Sequence, residues 1–221
     1  MPEMGIYEAM STLRAVRRLK PDAIADGVLY RVLQAATWAP TGGNVQPWRV
    51  IVVKDAAKKA KLGDLYLKRW QIYVAEHRRL IAEALDDVKD RAERMLAAGD
   101  YLADHFGEAP VIAIFCFNPK GMTITDANLD RVSVVGGASV YTVVENFLLA
   151  CRAEGLGCTL TTLLCEFERQ VCELLSIPEG WGTACAIPIG WPKLRGHGPI
   201  TRRPVEKLAF LDEWKKPYPK S

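Results

Sequence analysis

The sequence predicts a layered α/β domain, helices packed around a mainly buried sheet, and three observations carry that reading. Four β-branched or apolar runs, "WRVIVV", "PVIAIFCF", "LGCTLTTLL" and "TACAIPIGW", recur along the chain. Segments with apolar residues at helical spacing lie between them. The 221 residues are 49% hydrophobic and 25% charged, enough apolar material for a real core and too little charge for a disordered chain.

The elements follow in order. "GIYEAMSTL" sets Ile6, Met10 and Leu13 at helical spacing, which predicts a first helix running to about Leu13. "DGVLYRVLQAATWAP" puts Val28, Leu29, Val32, Leu33 and Ala36 on one stripe of a second, and Pro40 ends it. The glycines of "TGGN" then supply backbone angles that other residues avoid, and "WRVIVV" reads as a strand. Residues 56–106 are helical and highly charged, an excursion of one or more helices that serves as a lid over a site or as plain scaffold. "PVIAIFCF" is the second strand, and residues 132–153 predict a long apolar helix packed closely through Gly136, Gly137, Ala138 and Ser139. A third strand at "LGCTLTTLL", a short helix at "CEFERQVCELLSI", a fourth strand and a C-terminal segment complete the chain. With no repeat, low-complexity tract or linker, one domain spanning 1–221 is expected.

Composition excludes several classes. A net charge of +3, without a basic patch interleaved with aromatics, disfavours a nucleic-acid module. Cys151, Cys158, Cys165 and Cys172 recur every seven residues but cross a helix, a strand and a second helix, so the spacing does not gather them on one face. Without a CxxC pair or paired histidines, neither a metal site nor a disulfide framework is predicted. The first residues carry no signal-peptide pattern and no apolar stretch is long enough to cross a bilayer, so no membrane role and a cytoplasmic location are expected. Phosphate-loop, dinucleotide and nucleophile-elbow fingerprints are missing.

What remains is a set of parts suited to a flat ligand carrying a phosphate. Arginines stand near both ends of the chain, in "RAVRRLK" and "ITRRPVEK", and their planar forks match a phosphate. Between them, "WAPTGGNVQPW" offers uncharged amides for a ring's polar edge and glycines that let backbone approach a flat face. These segments resemble the FMN-dependent nitroreductase family. "LRAVRRLKPD" at 13–22 is similar to its R-R-S-x-R-x-F opening, and "ATWAPTGGNVQPWRVIVV" at 36–53 to its A-P-S-x-x-N-x-Q-P-W signature. "ENFLLACRAEGLGCTLTTL" at 145–163 resembles the helix-to-strand segment, and "IGWP" with "RRPVEKL" the closing motifs.

The resemblance implies an α+β, three-layer sandwich with a mixed, mainly antiparallel sheet flanked by helices, in an intertwined homodimer with FMN at the interface. It implies that Arg14, Ala15 and Arg17 line the FMN phosphate and ribityl chain, with Arg202 and Arg203 meeting the phosphate from a C-terminal arm at 202–221. Pro40, Thr41, Gly42 and Asn44 are assigned to the partner's FMN, and Gln46 to the same loop. Leu160, Thr161, Thr162 and Leu163 run along the ring, a backbone N–H near Thr162 facing its N5. Trp38 and Trp48 are expected to anchor the loop to its own helix and strand. Leu13 and Ala15 depart from the family's opening motif, removing one cation and one hydroxyl. The implied activity is ping-pong reduction of nitroaromatic, quinone or similar small acceptors by NADH or NADPH, without a side-chain acid or base. The alternatives are FMN chemistry of another kind (dehalogenation, flavin fragmentation, ene-type reduction) and a non-enzymatic flavin-binding protein.

Overall fold

The computed structural model describes residues 4–82 and 86–219. Its centre is a four-stranded sheet in the order β1-β2-β4-β3, from Trp48–Val53, Val111–Phe117, Gly182–Gly190 and Gly157–Cys158 respectively. All three ladders are antiparallel. The second strand shows why its sequence is an unbroken apolar run. Side chains alternate across a strand, and both faces here are covered. Val111, Ala113 and Phe115 enter one core with Val32, Phe147 and Ile187, while Ile112, Ile114 and Cys116 enter the other with Leu62, Tyr66 and Phe106. The result is the three-layer arrangement of helices, sheet and helices.

One outer layer pairs α2 (Asp26–Thr37) with α5 (Ala138–Ala153), and α1 (Ile6–Thr12) lies on α5. Leu29, Val32 and Ala36 form the buried stripe of α2, as their spacing predicts. The other layer contains α3 (Ala56–Ala82), α4 (Asp86–His105) and α6 (Glu168–Leu175), so the charged excursion is a helical hairpin. Its base is packed tightly. Tyr66 stacks on Phe106 at 4.2 Å, and a Cβ on Gly107 would lie 2.9 Å from the Lys59 carbonyl. Lys59 in turn donates to the carbonyls of Ala109 (2.7 Å) and Pro110 (3.2 Å), tying the start of α3 to the lead-in of β2.

Three expectations are corrected. The helix predicted over 132–153 begins at Ala138, after a 3-10 turn at Val135–Gly137. Two adjacent glycines disfavour helix by about 1 kcal/mol each, and Val132 and Val134 are exposed instead of packed. The third strand is shorter than its apolar run. Its ladder stops after Cys158 and returns only as a single bridge, Thr161 to Ala186. Carrying the register from Gly157↔Gly190 onward sets Thr159 opposite Pro188, which has no N–H to give at that rung. Third, Trp38 does not pack within its own chain: it is 73% exposed, whereas Trp48 lies half-buried against the core.

Candidate active site

The broken rung opens the site. Thr161 commits both backbone groups to Ala186, donating at 3.0 Å and accepting at 2.8 Å. Strand alternation then turns the N–H groups of Leu160 and Thr162 to the opposite edge, and neither has a partner among the described residues. The opening segment is held beside this edge by two bonds. Val16 N–H donates to the Cys158 carbonyl (2.9 Å), and the Thr159 hydroxyl donates to the Val16 carbonyl (3.0 Å). Gly157 permits the approach, since a Cβ there would meet Val16 at 2.7 Å.

Arg17 is thereby placed on a cavity of about 310 Å³ that it shares with Thr159, Leu160, Thr161, Thr162 and Leu163. The far wall is the helical hairpin: Tyr66, Trp70, Tyr73 and His77 from α3, with Met95, Leu96, Gly99 and Leu102 from α4. Burial pushes the Tyr66 phenol above its ordinary value, opposed by a hydrogen bond with Thr161 and by the charge of Arg17. Trp70 donates its indole N–H to Asp100 (2.8 Å), and Arg78 grips both oxygens of that carboxylate (2.6 and 2.7 Å). The sequence reading did not assign these hairpin residues. Their signal was present: Tyr66, Trp70, Tyr73 and His77 are spaced four, three and four apart, one aromatic face of a helix.

The remaining predicted residues divide into two groups. Arg14 is exposed and donates through Nε to the Gly196 carbonyl (2.6 Å), while Gly198 N–H donates to the Thr12 carbonyl (3.2 Å). With Lys193 N–H on the Arg18 carbonyl (2.9 Å), residues 192–198 lie alongside 12–19. Arg202 and Arg203 follow a few residues later, both exposed, and Arg202 donates to the neighbouring Thr201 carbonyl (2.9 Å). Ala15 is exposed on the same segment as Arg14.

The loop at 40–46 is elsewhere. Gly42 N–H donates to the Ser139 hydroxyl (3.1 Å) and Thr142 to the Pro40 carbonyl (3.2 Å), seating the loop on the start of α5. Thr41 caps Gln46 N–H (3.1 Å), and the Gln46 amide donates to the Asn44 side chain (3.1 Å). Gly43, Asn44 and Gln46 all have positive φ, so the loop is a tight, preformed structure. It lines no part of the Arg17 cavity of its own chain. Two further hollows are formed by the described residues. One of about 510 Å³ lies across Thr162, between Phe117, Met122, Tyr141 and Cys165. Another of about 630 Å³ runs between α1, α2 and α5 beside Trp38 and Tyr30.

A three-layer fold with an arginine-flanked, aromatic cavity at a broken sheet edge places the chain among layered α+β proteins. Within that class, residues 12–191 match the model of the Nitroreductase family, and the chain belongs to that family. It is 27% identical to an NADH dehydrogenase of Thermus thermophilus, over 95% of this chain and 97% of that protein. It is 28% identical to a 5,6-dimethylbenzimidazole synthase of Rhodospirillum rubrum, over 97% and 92%. The fold matches a crystal structure of oxidized iodotyrosine deiodinase bound to FMN and 3-iodo-L-tyrosine, with a TM-score of 0.68 at 20% identity, covering 95% and 99%. Among the described residues no helix is long and apolar enough to cross a membrane.

Proposed function

We propose that the protein is an FMN-dependent oxidoreductase that uses NADH or NADPH to reduce nitroaromatic, quinone or similarly electron-poor acceptors in a ping-pong cycle. One observation carries the reading: the unused N–H of Thr162 faces the same edge as a cavity that holds Arg17 and is walled by aromatics. An isolated donor beside a cation suits the acceptor-rich edge of a flavin ring. FMN, when bound, supplies a two-electron carrier between the nicotinamide and the acceptor. The chain's own groups do the rest. Leu160, Thr161, Thr162 and Leu163 orient the ring, and Arg17 stabilises negative charge beside it. Arg14, with the exposed Arg202 and Arg203, holds the phosphate, and Ala15 adds only backbone.

The loop of Pro40, Thr41, Gly42, Asn44 and Gln46 serves the flavin of a second copy, since it is closed by its own hydrogen bonds, is largely exposed and lines no part of its own cavity. The apolar surface around Trp38 and Tyr30 is the matching homodimer face, and the segment from 202 onward is an arm across the partner. Anaerobic spectroscopy of the purified protein tests the reading. A flavin spectrum should bleach with NADH or NADPH and return when a nitroaromatic or quinone is added. Protein that neither carries nor takes up FMN, or that neither nucleotide bleaches, overturns it. A second reading keeps FMN but not this chemistry, and the relative named 5,6-dimethylbenzimidazole synthase favours it. That reading predicts bleaching without turnover of nitro or quinone acceptors.

A further inference from the structure

His77 stands out among the cavity's side chains. Its Nδ1 lies 2.9 Å from the Tyr73 carbonyl one turn earlier. A carbonyl only accepts, so Nδ1 carries the hydrogen, and a second proton on the ring must sit on Nε2. The imidazole is also braced against Tyr73, ring centroids 4.3 Å apart, and it lines the cavity. Tautomer and ring plane are therefore both set by α3, and Nε2 is the nitrogen left for a ligand.

The other charged and titratable neighbours are occupied or set elsewhere. From α3, Arg78 is paired with Asp100; from α4, Asp100 also receives the Trp70 indole N–H. From the opening segment Arg17 is a fixed cation, and the strand end offers only Thr159, Thr161 and Thr162. Tyr66 and Tyr73 are phenols, so among the described lining residues His77 is the one side chain that offers a ring nitrogen able to donate and take back a proton. The other histidines lie apart: His105 stacks on Tyr101, and His197 is tied to the Leu156 carbonyl.

We propose that the α3–α4 hairpin forms the acceptor subsite, that it takes a flat aromatic ring bearing an oxygen acceptor, and that His77 Nε2 donates the hydrogen bond and the proton to that oxygen. The proposal rests on the flavin-dependent reading above and supplies what that reading lacks, a source for the second proton. Reduction of a quinone to a hydroquinone takes two electrons and two protons. Two electrons and one proton arrive together as hydride originating in NADH or NADPH. The other O–H bond forms as the Nε2–H bond breaks, and the neutral imidazole regains its proton from solvent. Trp70 and Tyr73 supply the stacking walls.

The test uses FMN-loaded protein and 1,4-naphthoquinone as probe, comparing wild type with His77→Phe and His77→Gln. Flavin content and bleaching by NADH or NADPH are measured first for all three. Loss of either in wild type defeats the flavin reading, whereas retention in all three isolates the role of His77. Quinone affinity is then followed by quenching of tryptophan fluorescence at about pH 6 and about pH 8. Wild type should bind about tenfold more tightly at the lower pH, the scale of a charged hydrogen bond. His77→Phe keeps an aromatic ring at this position and should lose both the affinity and the pH dependence. His77→Gln should bind between the two with a flat profile, and the reoxidation rate should lose its pH dependence in both variants. Unchanged quinone affinity and an unchanged pH profile in His77→Phe would overturn the proposal.

Discussion

Gly99 of α4 lies directly beneath the indole of Trp70 on α3, so closely that a Cβ on Gly99 would overlap the six-membered ring. The pair brings the hairpin's two helices into contact beside the cavity, and the indole N–H is fixed by Asp100 next to the glycine. Gly99→Ala should therefore displace Trp70 into the cavity or push the helices apart. Overpacking of this kind costs roughly 1–3 kcal/mol. Thermal unfolding and tryptophan emission should both shift. Gly27→Ala on α2, where a Cβ meets only the end of Arg31 at 3.9 Å, is the control and should leave both unchanged or raise stability.

Removing Arg17 separates the cavity's cation from its walls. Arg17→Ala should release FMN on dialysis and weaken its Kd by roughly ten- to a hundredfold, as expected for charge-assisted bonds. Arg14→Ala should do less to the ring and more to the phosphate, because Nε of Arg14 is already engaged by Gly196. Riboflavin, which lacks the phosphate, distinguishes the two. Its affinity should fall in Arg17→Ala and hold in Arg14→Ala. Equal losses of riboflavin affinity in both variants would refute this division of labour.

The parts of the fold legible in the sequence are those that local pattern controls. Val111 to Cys116 reads as a strand because every side chain enters one core or the other. Leu29, Val32 and Ala36 read as a helix because one face is buried. The break in β3 was not legible, since it depends on Pro188 lying opposite Thr159 across nearly thirty residues. The start of α5 is not legible in the same way, because the length of the apolar segment and its later Leu-Leu-Ala pattern extend the expected helix back through Gly136 and Gly137, whereas the helix begins at Ala138. Trp38 was misplaced by assuming that a large aromatic is covered within its own chain. For the candidate site, the motifs point to Arg17 and the strand end, which line one cavity. Trp70, His77 and Gly99 were passed over because the contact between α3 and α4 that makes them a wall exists only in three dimensions.

Acid should destabilise the protein through His197. Its Nε2 donates to the Leu156 carbonyl (2.9 Å), and its Nδ1 is buried without a hydrogen-bond partner among the described residues. Burial pushes its pKa below the ordinary histidine value, against a raising influence from the Leu156 bond, and the charges of Arg152 and Arg14 lower it further. The unfolded chain thus binds this proton at higher pH than the folded one. Stability is full above the ordinary value near 6.5 and falls as pH drops toward the depressed folded value. Urea midpoints measured across that window should decline for wild type. His197→Gln, which cannot titrate, should flatten the curve, and an equal slope in the variant would assign the effect elsewhere.

Trp38 offers a test of the proposed homodimer. At 73% exposure, beside Tyr30 and Ile6, it is costly on a monomer surface, and it directly precedes the Ala39–Pro40 entry to the preformed loop. A homodimer that covers this face would also carry Pro40, Thr41, Gly42 and Asn44 toward the partner's cavity. Trp38→Glu places an unpaired charge in that contact and should convert the dimer to monomer in sedimentation velocity. Flavin should be lost with it, although Trp38 lines neither the Arg17 cavity nor the hollow across Thr162. Circular dichroism should stay unchanged, because the side chain adds nothing to either core cluster of its own chain. A Trp38→Glu protein that is monomeric yet retains stoichiometric FMN would show that each chain completes its own site. One that remains a dimer would put the interface on another face.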